Sequence, residues 1–237
     1  MQPDPTKLLK MTGITTCLTG LYDTPDIAPF APFAEPKACF FAAWKDWMNG
    51  KSVLLRKDKF DCPGSGMHLC GVHSRSRDEM LTFLVEIEGL KAERDLMAEW
   101  LQTNKSYRMT HDNIVIGPLK PDQYNYLKTV TFWVNPDQLS LLSIGAQYRA
   151  KPGDPPPVLA RFGSGCMQQV NLFDNLDVPQ AMIGATDIAM RQHLPPDILA
   201  FTVTKPLFEL LCSLDEKSFL YKPFWKNLQA SRQSEKP

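Results

Sequence analysis

The sequence predicts an α+β fold, a mixed sheet covered by helices, in one compact domain over residues 1–237. Three observations predict it. The 237 residues are 43% hydrophobic and 22% charged, the balance of a globule with a sizeable core. From about residue 113 onward, strand-like runs alternate with runs of helical periodicity. Third, a strand–proline–helix pattern occurs twice, as FWVNPDQLSLL from Phe132 and as FTVTKPLFELL from Phe201. Read as a duplication, the echo divides the chain into two similar halves at about 10–110 and 111–215.

The elements follow in order. Ile14 to Tyr22 is strand-like, and the Pro25, Pro29, Pro32 and Pro36 stretch after it reads as an extended connector carrying Ile27, Phe30 and Phe33. Pro36 suits a first helical turn, where its missing N–H is not needed. Ala38 to Met48 then has an apolar helical face that Asn49-Gly50 ends. Ser52 to Arg56 is a short strand, and Phe60 to Gly66 a Gly/Pro turn. Arg77 to Gln102 is helical by periodicity with a bend at Gly89. Asn113 to Ile116 and Thr129 to Val134 are strands, and Pro136 starts a helix reaching Tyr148. Pro152 to Pro157 is a stiff break before strand-like Val158 to Phe162. Cys166 opens a further helix, followed by strand-like Gln180 to Ile183 and the Gly184-Ala185 turn.

Composition excludes several functions. Lys and Arg number 26 against 26 Asp and Glu, so no basic footprint for nucleic acid or an anionic membrane surface exists. No apolar run approaches the roughly 18 residues of a membrane span, and Met-Gln-Pro-Asp-Pro is not a signal-peptide start. The expectation is an unprocessed cytoplasmic protein whose six cysteines remain thiols, ligands or nucleophiles. Phosphate-binding Gly-rich loops, nucleophile-elbow, zinc-protease and Cys-x-x-Cys motifs are all missing.

Chemistry therefore rests on three cysteines. Cys39 lies in the first turn of a predicted helix, Cys62 in the turn DCPGSG ending at Gly66, and Cys166 directly after Gly-Ser-Gly at another helix start. Free N–H groups at such positions favour the thiolate, the form that binds metal or attacks an electrophile. Cys17, in a strand pattern, and Cys212, on the apolar face of the last predicted helix, read as small core hydrophobes. Cys70 and His68 offer a fourth ligand, while His73, His111 and His193 have no partner pattern. Phe40, Phe41, Trp44 and Trp47 could line a pocket for a flat cofactor, although core packing explains their spacing more simply.

In their order and spacing these pieces resemble an uncharacterised prokaryotic family, domain of unknown function 169. They are CFFAA from Cys39, GKSVLL from Gly50, DCPGSG from Asp61 with Leu69-Cys-Gly71, and GSGC ending at Cys166, within roughly residues 10 to 215. The resemblance implies a site shared by the two halves but no reaction. Family members often carry a Cys after the glycine of the late turn, where this chain has Ala185, and a small or aliphatic residue where it has Cys70. If the late-turn cysteine is a ligand in the family, the resemblance implies either that Cys70 substitutes for it or that the site is altered in this chain.

The expected site lies where the halves meet, with Cys39, Cys62 and Cys166, plus Cys70 as spare, holding zinc or an iron–sulfur cluster. A small molecule or a redox protein is the expected partner. Two other readings stand beside it: a thiol enzyme using Cys166 or Cys62, which needs a nearby base, and a non-catalytic small-molecule binding module whose groove the connector Pro25 to Phe33 covers.

Overall fold

A computed structural model describes residues 3–35, 39–55, 76–104, 106–163 and 165–234. Its frame is a seven-stranded mixed sheet: β1 (Thr19–Thr24), β2 (Val53–Leu55), β3 (Asn113–Pro118), β4 (Leu127–Val134), β5 (Val158–Leu159), β6 (Ala181–Gly184) and β7 (Leu199–Thr204), in the order β2-β3-β1-β4-β7-β6-β5. Every pairing is antiparallel except β5 with β6. The α+β expectation holds.

Alternation along the strands separates two cores. Tyr22, Val115, Val130, Phe132, Val134, Phe201 and Val203 face one way. Leu21, Ile114, Ile116, Trp133 and Ala200 face the other. The first face is covered by α1 (Thr6–Thr12), α5 (Pro136–Gln147), α7 (Lys205–Cys212) and α8 (Pro223–Ser234), which bury Leu8, Leu142, Leu207, Phe208, Leu211 and Trp225 against it. Trp225 Nε1 also donates to the Met11 carbonyl at 2.7 Å, tying α8 to α1.

The second face carries shorter cover: a 3₁₀ turn (Phe40–Ala43), α2 (Trp44–Met48), a 3₁₀ turn (Met167–Gln169) and α6 (Ile188–Arg191). Beside them a small helical lobe has its own core of Met80, Leu81, Leu84, Met97 and Leu101. It is built from α3 (Arg77–Leu81), a π-helical stretch (Thr82–Ile87) and α4 (Arg94–Thr103). Gly89, at φ +65°, makes the expected bend.

The central strands show local symmetry. Phe132 and Phe201, which head the two similar segments, stand directly opposite each other in the antiparallel β4–β7 ladder. Each strand leads into a helix with proline in its first turn, and α5 and α7 pack together over the two strands. The two segments thus run antiparallel to each other from the Phe132–Phe201 pair. Their caps differ. Asn135 closes a capping box with Gln138, whereas Thr204 turns its hydroxyl to the Val178 carbonyl instead.

Several boundaries differ from expectation. The first strand starts at Thr19, so Cys17 precedes it, its thiol 3.3 Å from the Leu18 carbonyl oxygen. Cys212 ends α7, and a further helix, α8, follows. Cys166 precedes only a 3₁₀ turn rather than opening a full helix, whereas the 3₁₀ turn after Cys39 runs directly into α2, which ends at Met48 as expected. After Cys166 the turn ends because Val170 adopts φ −147°. Pro36, Cys62, Cys70 and His68 lie outside the described residues.

Candidate functional site

The Cys166 turn is shaped by its glycines. Gly163 has φ +85°, and a Cβ there would stand 2.4 Å from Trp100 Cζ2. A Cβ on Gly165 would stand 2.9 Å from Asp187 Oδ2. The glycines thus let the turn sit between Trp100 and Asp187, which explains Gly-x-Gly before Cys166 without a nucleophile elbow.

Past Cys166 the chain crosses the second face of the sheet. That face is threonine-rich at its centre: Thr129 Oγ1 donates to the Gln169 carbonyl at 2.8 Å, and Thr131 and Thr202 share a hydrogen bond at 2.9 Å. Gln168 is fully buried, yet neither its Oε1 nor its Nε2 has a hydrogen-bond partner. Its side chain fills the space over Gly184, where a Cβ would come within 2.5 Å of Gln168 Cγ. Ala185, next in the late turn, is fully buried at φ +61°, a backbone region alanine rarely occupies.

Cys39 and Cys166, which come from opposite halves of the sequence, both pack against one buried cluster containing Phe41, Trp47, Trp133 and Ala185. Both are half-buried. Each of the two cysteines thus borders the one cluster that also holds Ala185 of the late turn. Cys62 and Cys70 lie outside the described residues, and among those residues no group of three His, Cys, Asp or Glu side chains suits a metal. Cys17 and Cys212 are elsewhere, and burial pushes both thiols up. Cys212 reaches about 12, aided by the Asp4 and Glu209 charges. Such groups stay protonated and unreactive.

The aromatic side chains Phe41 and Trp47 form core. Trp47 stacks on Trp133 with ring centroids 5.7 Å apart, and Phe41 meets Trp133 edge-on. They hold the Cys39 segment onto the sheet.

Next to the Cys166 turn is a cavity of about 200 Å³, lined by Leu84, Leu90, Trp100, Phe162, Thr186 and Asp187 among others. Glu88, at the end of the π-helical stretch, is pushed up to about 7 by burial and by the charge of Asp187. A second cavity of about 280 Å³, between α5, α7 and Pro155–Pro157, lies on the opposite, helical face.

Sequence reasoning missed one constellation. Asp23, fully buried, accepts hydrogen bonds from Tyr107 Oη, Thr110 N, Thr110 Oγ1 and His111 N at 2.7–2.9 Å, with His111 Nδ1 at 3.2 Å. Burial alone would raise its pKa, but these bonds outweigh it and hold the carboxyl below the usual range. The one available signal was an acidic residue at a position whose neighbour Leu21 faces the core. Counting along paired strands, Asp23 stands about 20 Å from the Trp133–Ala200–Gly184 row, at roughly 3.3 Å per residue.

Among the described residues, no helix is long and apolar enough to cross a membrane. Comparison with known proteins adds one match: the model of a family described as uncharacterised ArCR, domain of unknown function 169, covers residues 6–213. No curated protein and no solved structure matches the chain.

Proposed function

Since the chain belongs to the uncharacterised ArCR family, domain of unknown function 169, which brings no reaction with it, we propose a function from the site: the protein binds a metal ion or an iron–sulfur cluster through Cys39, Cys62 and Cys166, with Cys70 as spare ligand. The observation that carries this reading is that Cys39 and Cys166, more than a hundred residues apart, pack on the same buried cluster. Thiolates are the donors that zinc and iron–sulfur clusters take, and the half-buried setting suits a bound group that exchanges electrons or substrate with its surroundings. An iron–sulfur cluster is the preferred occupant, since zinc sites usually use two closely spaced ligand pairs, which this chain lacks. The bound group would supply redox or Lewis-acid chemistry, and this chain's residues would orient it and exclude water from it. A reducing cytoplasm, where thiols stay free, is the compartment that suits such a site.

The thiol-enzyme alternative needs a base beside the attacking Cys166 or Cys62; the His111 imidazole is engaged by Asp23 at 3.2 Å. Anaerobic expression followed by iron, sulfide and zinc quantification tests the proposal. The expected result is a bound metal that is lost in Cys39→Ser, Cys62→Ser and Cys166→Ser and kept in Cys17→Ser and Cys212→Ser. A colourless, metal-free protein with one cysteine unusually prone to alkylation would establish the thiol enzyme instead.

A further inference from the structure

We propose that the cavity beside the helical lobe binds a small organic ammonium ion with an apolar body, held by Trp100, Phe162, Asp187 and the neighbouring Glu88. The site draws on no cysteine and stands apart from the metal-binding reading above.

The walls suit an apolar body. The lobe supplies Leu84, Leu90 and Trp100, and the segments after β5 and β6 supply Phe162 and Asp187. Trp100 and Phe162 meet edge-on, with ring centroids 5.1 Å apart. The volume is about 200 Å³, and a cavity of about 150 Å³ already accepts benzene, so one ring or a short alkyl chain fits. Each acid also has an isoleucine beside it in the chain that stays in water: Ile87 is 70% exposed and Ile188, which lines the cavity, 82%.

The charge around this cavity is unbalanced, and its sign selects a cation. Asp187 Oδ1 accepts from Ala189 N at 2.9 Å, and the carboxylate has no salt bridge among the described residues. Glu88, half-buried and likewise without a salt bridge there, lies in the turn between the wall residues Leu84 and Leu90, where Leu90 N donates to the Leu84 carbonyl at 2.9 Å. Burial and the Asp187 charge push its carboxyl up to about 7, as expected of an acid that lacks a counter-ion. The nearby cations are engaged elsewhere. Arg161, in the wall, is bidentate to Asp174 at 2.8 and 2.6 Å, and Arg94 of the lobe is held by Asp78 and Glu86. Lys91 sets its Nζ 4.1 Å from the centroid of the Phe162 ring, which shows that this wall accepts a cation. A ligand ammonium beside Asp187 and Glu88 supplies the missing positive charge.

The test is calorimetric titration of the full chain with 2-phenylethylammonium, against 2-phenylethanol and 3-phenylpropionate as neutral and anionic probes of similar shape. The ammonium ion should bind about tenfold or more tightly than either, since a hydrogen bond to a charged group contributes that much. Binding favours ionised Glu88, so affinity should rise with pH, by up to about tenfold between pH 6 and pH 8. Glu88→Gln should abolish that rise. Asp187→Asn, which keeps a side chain able to cap α6, should weaken the ammonium ion about tenfold. Melting curves of both variants establish that they are folded. Absence of ammonium binding, equal binding of the three probes, or wild-type affinity in both variants overturns the proposal. None of these outcomes bears on the cysteine reading, which metal analysis tests separately.

Discussion

The two faces of one sheet are built differently. On the helical face, Phe132, Phe201, Phe208 and Leu211 interlock beneath four helices, and the side chains contributed by the strands are almost wholly apolar. On the other face, threonines occupy the middle of β4 and β7, the cover consists of short turns, and a buried glutamine has no partner. Both faces are buried. The helical face gains stability from area and shape, while the other gives up part of that gain to hold polar and thiol groups in place.

Substitutions should separate the two. The largest loss is expected on the helical face: Phe132→Ala, breaking up the Phe132–Phe201 pair, should cost about 3–5 kcal/mol in denaturant unfolding. A loss under about 1 kcal/mol would mean that this face is not the main core.

On the other face, Asp23→Ala removes a buried carboxylate together with the hydrogen bonds it accepts from Tyr107, Thr110 and His111, and should cost about 3 kcal/mol. The pH dependence has a definite sign. Asp23 titrates lower in the folded chain than at the ordinary 3.8, so its contribution is present above that value and is lost as pH falls through the folded one. Asp23→Asn should flatten the acid limb of the stability curve, as followed by circular dichroism.

Gly163→Ala comes next, at about 2 kcal/mol, because it meets both a left-handed backbone and the Trp100 ring. Cobalt(II) titration should show a weakened cysteine site in this variant, since the turn carries Cys166. Phe132→Ala, in its folded fraction, should leave the site unchanged.

Glu88→Gln has the smallest effect and a distinctive sign. Its folded value of about 7 lies above the ordinary 4.5, so the carboxyl favours folding below pH 4.5 and loses that contribution as pH rises through 7. The variant's melting temperature relative to wild type should therefore be higher at pH 8 than at pH 4.

Much of the frame could be read from the residues. Pro136 starts its helix, Gly89 makes its bend, and the echo headed by Phe132 and Phe201 marks two strands that turn out to be partners. The isolated 3₁₀ turn at Cys166 was not legible as such, because a short apolar run after a cysteine looks the same whether it continues into a helix, as it does after Cys39, or stops. α8 was also missed. Its sequence, from Pro223 to Ser234, is polar apart from Phe224, Trp225 and Leu228, and what docks it is Trp225 reaching Met11.

By itself the sequence determined the fold class and the separation of inward and outward positions along each strand. These follow from periodicity, proline and glycine, which act within a few residues of chain. Tertiary structure alone decided that Cys39 and Cys166 share a cluster, that Gln168 is left unpaired over Gly184, and that Asp23 gathers Tyr107, Thr110 and His111. Each of these depends on where strands distant in sequence are placed side by side. No local pattern encodes which donors a buried carboxylate or amide will meet, because its partners arrive from segments tens of residues away.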